Sequence, residues 1–306
     1  MKTKCLILNR RELISEDALK KFEDRLSPIW FQSDEFSLEE ALHQNSDSQL
    51  LITNYVELNR ENLTELHELK GIIATTVAVE YIDRQYCNER NIHVSNTPKY
   101  TGSSVAEYAF CLLLSAARHL PAIDRQLREG DFNCFEFLGM ELAGKRAGIV
   151  GMGDIGSRVS RLAKCFDMNV VYFNSRQKNS TVGKPVDLFT LLATSDVVFL
   201  TLPLNNESRS MIGRQELSVM KNGAILVSIS PDEILDLSAL ADALKSRRIY
   251  AALDLHKPQP ALLNIPNIIL SPRRAWYTRD SFDRRVATWI RTVESYLDGS
   301  PINTVE

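Results

Sequence analysis

The feature that most restricts this chain is a junction. Residues 146–150 (Arg-Ala-Gly-Ile-Val) form a short run fit for a buried strand, Gly151-Met152-Gly153-Asp154-Ile155-Gly156 follows at once, and an amphipathic stretch opens at Ile155 and continues to Phe166. A Gly-x-Gly-x-x-Gly pattern alone is weak, but between a strand and a helix each glycine has a mechanical reason. Gly151 permits the tight turn, Gly153 lets a pyrophosphate approach the main chain, and Gly156 lets helix and strand pack closely. Phosphates placed there face N–H groups and the positive end of the helix dipole. The junction predicts a parallel sheet with a dinucleotide at Gly151, Gly153, Asp154, Ile155 and Gly156.

The rest of the chain alternates in the same way. Ahead of the junction, strands are expected over 4–8, 49–53, 71–75 and 92–95, and helices over 15–26 and 60–67. A segment over 104–118 has small and apolar residues on nearly every face, which suits a helix buried between two domains. After the junction come strands at 169–173, 197–200, 224–228, 250–254 and 268–271, helices at 188–194, 215–220 and 237–245, and a final amphipathic helix at 280–297. Alternating strands and helices argue for α/β architecture, and 306 residues exceed one comfortable core. The expected fold is two doubly wound parallel-sheet domains. One is a Rossmann NAD(P)-binding domain over 99–272; the other is a discontinuous, flavodoxin-like substrate domain built from 1–98 and 273–306.

Composition narrows the partners. With a net charge of −3 and no basic stripe interleaved with aromatics, the chain has no footprint for nucleic acid. Only four apolar residues, 5–8, follow the first four, too few for a membrane span or a signal-peptide core. The five cysteines, Cys5, Cys87, Cys111, Cys134 and Cys165, are scattered and never form Cys-x-x-Cys; they read as small buried hydrophobes in a reducing, cytoplasmic setting. His43, His67, His93 and His119 have no metal-like spacing with cysteines or carboxylates, and no metal is expected.

About 20 residues past the glycine loop, where an NAD-selective site offers an acid to the ribose, the chain reads Asn174-Ser175-Arg176. A neutral amide, a hydroxyl and a guanidinium suit a 2′-phosphate, so NADP(H) is favoured, with NAD(H) the alternative if Arg176 is only a solvated charge.

From about Gly71 to Thr304 the chain resembles the D-isomer-specific 2-hydroxyacid dehydrogenases. The resemblance is carried by Ser104-Val105-Ala106-Glu107, residues 148–156, Leu202-Pro203-Leu204, Met220-Lys221-Asn222-Gly223-Ala224, Ala252-Leu253-Asp254, Ser271-Pro272 and Pro301-Ile302-Asn303. It implies cofactor contacts at Val105, Leu202, Pro203 and Asp254, the last toward the nicotinamide carboxamide. It also implies a substrate loop at Thr76, Val77 and Ala78, whose backbone amides hold the substrate carboxylate, a cleft between the domains, and a homodimer through an arm over 120–142. Phe132, Phe135, Phe137, Leu138 and Met140 make that arm apolar; a buried loop core is the other reading.

The family's catalytic Arg, Glu and His are replaced here, each inside a flank that otherwise matches. Pro231 stands at the Arg position, Gln259 at the Glu position and Arg273 at the His position. An arginine keeps its proton near neutral pH and so cannot act as a general acid; losing a placed donor costs about 10²–10⁴ in rate. Arg273, as an anion clamp, and Tyr277, as a proton donor, are the candidate substitutes, with Arg274 and Trp276 beside them. His256 reads as a packing residue, and Asp232 and Glu233 favour a neutral or cationic ligand group over a simple carboxylate. Three functions stay open: a hydride-transferring oxidoreductase for an imine or unusual carbonyl, a non-catalytic NADP(H)-binding sensor or scaffold, and a residual 2-hydroxyacid dehydrogenase acting on a small-molecule substrate.

Overall fold

The computed structural model describes residues 2–8, 20–31, 37–133, 135–175 and 181–305. The chain divides into two compact units, Met1–Tyr100 with Arg279–Glu306, and Thr101–Thr278. The divisions thus fall at 100/101 and 278/279 rather than at 98/99 and 272/273, and Arg273 and Tyr277 belong to the second unit.

In the first unit five strands, β1 (Thr3–Leu8), β2 (Leu26–Phe31), β3 (Leu50–Thr53), β4 (Gly71–Ala74) and β5 (His93–Ser95), pair in parallel in the order β2-β1-β3-β4-β5. That is the flavodoxin-like order. The middle strands are apolar at every position because both faces are covered. Along β3, Leu50 and Ile52 face a cluster with Trp289, Ile290 and Val293, while Leu51 faces Leu42, Leu63 and Cys87. Those partners come from helices α1 (Leu38–Gln44), α2 (Arg60–Thr64) and α3 (Arg84–Glu89) on one side and the long C-terminal helix (Arg279–Leu297) on the other.

Three elements of this unit, β2, α1 and α3, escape the sequence pattern. β2 contains Pro28, which breaks the reading of 26–31 as a strand yet is tolerated because β2 lies at the sheet edge. The expected helix over 15–26 therefore ends early: 21–25 form a turn and Leu26 opens β2, while 9–19 lie outside the described residues. α1 starts at a reciprocal cap, with Ser37 Oγ accepting from Glu40 N–H and the Glu40 carboxylate accepting from Ser37 N–H.

In the second unit, β6 (Arg146–Val150), β7 (Asn169–Phe173), β8 (Lys184–Pro185), β9 (Val197–Leu200), β10 (Ile225–Ser228), β11 (Tyr250–Leu255) and β12 (Ile268–Pro272) pair in parallel, in the order β12-β11-β10-β9-β6-β7-β8. Counted from β6, the core of that order is the Rossmann 3-2-1-4-5-6. Helix α4 (Gly102–Ala117), followed by α5 (Leu120–Arg128), lays Ala106, Ala109, Phe110 and Leu113 on one face of this sheet with α6 (Asp154–Cys165). Leu112, Ala116 and Ala117 of the same helix are buried in that cluster too. Helices α7 (Leu188–Thr194), α8 (Arg214–Val219) and α9 (Leu237–Lys245) cover the other face.

Two cysteines depart from expectation: Cys5 and Cys87 are buried, but Cys111 on α4 and Cys165 on α6 are exposed, because both fall on the helix faces turned from the sheet. Cys134 lies outside the described residues. Among the described residues no helix is long and apolar enough to cross a membrane, and no group of three metal-ligating side chains occurs.

Candidate functional site

Every strand of the larger sheet is parallel, so the loops after β6, β7, β9, β10, β11 and β12 emerge at one edge. The sheet's order reverses between β6 and β9, and ligands of such sheets bind in the crevice at that switch point. The glycine loop sits there. Gly151 has φ +101°, and its N–H donates to Phe173 O at 2.9 Å. Thr201, just past β9, donates its hydroxyl to Gly151 O at 2.6 Å and to Val150 O at 3.2 Å, locking the turn from the neighbouring strand. A Cβ on Gly156 would collide with Gly151 O, so the helix packs against the turn as only glycine allows.

Whether the loop fits a dinucleotide is decided by Gly153. It caps α6 with no side chain, and a Cβ built on it meets nothing within 4 Å. The loop surface is therefore open main chain at a helix N-terminus, which is what a pyrophosphate requires. Asp154 turns aside to Arg158, whose Nε lies 3.3 Å away and whose Nη1 donates to Ser103 Oγ at 2.9 Å. Asn174 accepts from Met152 N–H at 3.2 Å, so part of its side chain braces the loop instead of facing a ribose. Ser175 is exposed, and Arg176 lies outside the described residues.

At the ends of β10 to β12 lie Pro231, Gln259 and Arg273. Pro231 opens a 3-10 turn over Asp232–Ile234. Asp232 is buried; its carboxylate accepts from His256 N–H at 3.0 Å, Lys257 N–H at 3.1 Å and Gln259 Nε2 at 3.4 Å. The sequence reading of Asp232 as a charge offered to ligand is corrected by this: its oxygens tie the loop after β11 to the turn after β10, and Gln259 is one of the ties.

The register Leu255↔Pro272 puts His256 and Arg273 side by side on adjacent strand ends. Burial, and after it the Arg273 cation, hold the His256 imidazole below its usual 6.5. His256 is half-buried, and its ring is neutral at pH 7. Arg273 itself adopts φ +52°, a left-handed geometry at the point where the chain leaves β12. The turn is held by Asp254, buried at the end of β11, which accepts from Ser271 Oγ at 2.7 Å, Arg274 N–H at 2.8 Å and Ala275 N–H at 3.0 Å. Since Ser271 spends its proton on Asp254, Tyr108 of α4 donates to Ser271, at 2.6 Å. Tyr277 is 52% exposed, its ring edge-on to Trp276 and covered by the Arg274 guanidinium 4.3 Å from the ring centre.

In the first unit, the loop after β4 carries Thr76, Val77 and Ala78. Thr76 is buried and donates to Ala78 O at 2.7 Å, and Asn96 Nδ2 donates to Val77 O at 2.8 Å. Trans peptides hold C=O and N–H opposed, so tying back these two carbonyls turns the N–H groups of Ala78 and Val79 the other way. Val105 is buried in the first turn of α4, Leu202 Cδ2 lies 2.9 Å from where a Gly151 Cβ would be, and Pro203 O accepts from Ser208 Oγ at 2.8 Å.

Sequence reasoning missed Thr201, Tyr108 and Tyr81. The register of neighbouring strands brings Thr201 to the glycine loop, and no local pattern signals it.

A Rossmann sheet with an open glycine turn at its switch point defines the dinucleotide-binding class of fold. Residues 110–275 match the D-isomer specific 2-hydroxyacid dehydrogenase, NAD binding domain, and the chain belongs to that family. It is 34% identical over 242 residues to the D-3-phosphoglycerate dehydrogenase of Archaeoglobus fulgidus, a match taking in 76% of this chain but 46% of that longer enzyme. It is 32% identical to the glyoxylate reductase of Aeropyrum pernix, with 96% and 94% covered. Among solved structures it resembles an acyclic imino acid reductase in complex with NADPH and D-Arg, with TM-score 0.92, 28% identity, and 99% and 100% covered.

Proposed function

We propose that this chain reduces a carbon–nitrogen double bond with NADPH, on a substrate that also carries a carboxylate. The observation that carries the reading is the open main chain of the dinucleotide loop, and it is joined to the sequence expectation that Pro231, Gln259 and Arg273 take the places of the family's Arg, Glu and His. NADPH, when bound, supplies hydride. A protonated imine already holds the hydrogen its nitrogen needs, so its reduction gives an amine without a protein acid. A keto acid, by contrast, gives an alkoxide that must be protonated. Arg273 acts as an anion clamp through its guanidinium. Neutral His256 beside it adds no second cation to repel an iminium.

NADP(H) rather than NAD(H) is supported by the lack of an acid at Asn174 and Ser175, with Arg176 next in sequence. The NADPH found in the similar imino acid reductase agrees with this preference. Gly151, Gly153, Asp154, Ile155, Gly156, Val105, Leu202, Pro203 and Asp254 would line the cofactor; Thr76, Val77 and Ala78 would take the carboxylate. Tyr277 is the weaker catalytic candidate, being largely solvent-facing under Arg274.

A second reading, reduction of a 2-keto acid, is favoured by relatives named glyoxylate reductase and hydroxypyruvate reductase. One experiment separates the two. NADPH consumption is followed with glyoxylate or pyruvate, with and without added methylamine or ammonium. Consumption that needs the amine supports imine reduction, and equal consumption without it supports the keto acid. Tight NADPH binding with no consumption in either case would leave a sensor or scaffold, and both catalytic readings would fall.

We also propose a homodimer through the arm over 120–142. Phe132, Phe135 and Leu138 are all more than four-fifths exposed in the isolated chain, which disfavours a buried loop core. Sedimentation of a Phe132→Ser, Phe135→Ser variant should show monomer where the parent shows dimer.

A further inference from the structure

Arg273 stands in a backbone geometry that its surroundings have to enforce. At φ +52° the Cβ of an L-residue crowds the following carbonyl. His119, Asp167 and Arg247 also have positive φ, but each lies just past the end of a helix, where that geometry is the ordinary cap. Arg273 instead follows the strand β12. Strain of this kind persists only where neighbouring groups over-determine it, and it gathers at ligand-binding turns.

The enforcing groups form a chain of hydrogen bonds that begins on another element. Asp254 accepts from Arg274 N–H at 2.8 Å and from Ala275 N–H at 3.0 Å, so one buried carboxylate grips the two peptides that follow Arg273. A return of Arg273 to negative φ would carry those peptides off the carboxylate. Ser271 donates at 2.7 Å to Asp254 Oδ1, the same oxygen that holds Arg274. Pro272 confines Ser271 to extended backbone, which limits where its hydroxyl reaches. With its proton committed, Ser271 Oγ accepts from the Tyr108 hydroxyl at 2.6 Å. Each bond polarises the next, so the phenol sharpens the hold of Ser271 on Asp254. Tyr108 also packs against the core beneath α4, and it ties the turn to a third element beyond the two strands that meet there.

We propose that Tyr108 is a positioning residue for Arg273: through Ser271 and Asp254 it keeps the 273–275 turn left-handed at Arg273, and so holds the guanidinium ready for an anionic substrate group. The inference rests on the reading of Arg273 as an anion clamp. Affinity for the anion scales with the fraction of chains in which the turn is already held. Removing one bond of the chain lets a relaxed turn compete, at a loss of about fivefold, which is what one net hydrogen bond is worth.

The test uses the NADPH-loaded full chain and two probes of one shape, oxamate and neutral oxamide, with binding measured by calorimetry. Arg273→Met sets the scale and should weaken oxamate at least about tenfold while oxamide stays level. Tyr108→Phe should weaken oxamate about fivefold, with oxamide and NADPH affinities unchanged. Ser271→Ala should lose at least as much, and Ser271→Thr, which keeps the hydroxyl, should bind like the parent. In an Arg273→Met background, Tyr108→Phe should cost nothing further, because its effect runs through Arg273. The proposal is overturned by full oxamate affinity in Tyr108→Phe, by an equal loss of oxamate, oxamide and NADPH, or by the same fivefold loss in the Arg273→Met background. Should Ser271→Ala not fold, Tyr108→Phe in the two backgrounds decides alone. A parent that binds no oxamate, or an Arg273→Met protein that binds it undiminished, removes the clamp and this inference together. Oxamate lost in Arg273→Met but kept in Tyr108→Phe sinks the inference and leaves the clamp. Turnover is not read, so failure to reduce an imine leaves these outcomes as they stand.

Discussion

The strand-end edges of the two sheets are made of different materials. On the larger sheet, the loop after β6 is main chain: an exposed glycine cap, a left-handed glycine turn and one threonine that ties them down. On the smaller sheet, the loop after β4 is shaped by side chains, with Thr76 and Asn96 tying down carbonyls and Tyr81 bonded to the Thr76 hydroxyl. A pyrophosphate is common to many enzymes and can be met by peptide N–H groups, which any sequence provides. A substrate has to be distinguished from its competitors, and that takes particular side chains.

The contrast can be broken first at Gly156. Valine there places carbon against Gly151 O and Thr201 Oγ1, neither of which can move without opening the turn. NADPH affinity should fall by at least about 100-fold, as fluorescence titration would show, since the main-chain site is lost as a unit. Unchanged affinity would mean that side chains bind the dinucleotide after all. Next in size is Asp254→Leu, which strips a buried acceptor from Ser271 and from the N–H groups of Arg274 and Ala275. Stability in urea should drop by about 2–4 kcal/mol.

Thr76→Val sharpens the other side of the comparison. It removes the bond to Ala78 O and the acceptor for Tyr81 while keeping the shape, and should cost about 1–2 kcal/mol. Carboxylate binding should suffer while NADPH binding stays level; parallel loss of both would contradict the division of labour. The smallest effect is that of His256→Gln. His256 has a folded-state pKa below its usual 6.5, so above 6.5 the ring is neutral folded or unfolded and pH has no leverage. Below it the unfolded chain takes up the proton first, and stability falls as pH drops. Urea midpoints between pH 7 and pH 5 should decline less in the variant than in the parent; His93, also lowered by burial, leaves a remaining slope.

The same contrast accounts for what could be read from sequence. The Rossmann strands and the glycine loop lie in contiguous motifs, where local chemistry states its own geometry. Thr201 reaching Gly151, Asp232 binding the loop after β11, and Tyr108 reaching Ser271 depend on which strands are neighbours, and the alternation of elements does not specify strand order. α1 was the exception that local rules did contain: Ser37 and Glu40 have the spacing of a reciprocal helix cap. Arg285 was the reverse, a charged residue in a polar-looking helix whose burial follows only from packing on β4.

Pro28 in β2 has a further effect beyond hiding that strand. β2 is outermost in its sheet, as β8 with Lys184 and Pro185 is in the larger one, and a proline there interrupts the row of ladder donors on which a foreign strand would align. The opposite margin of the smaller sheet is already paired, Val305 N–H donating to Val94 O and Asn96 N–H to Asn303 O. A nascent or crowded chain therefore has few templates for amyloid-like growth, and clumping through its sheets is discouraged before any ligand arrives to hold it folded.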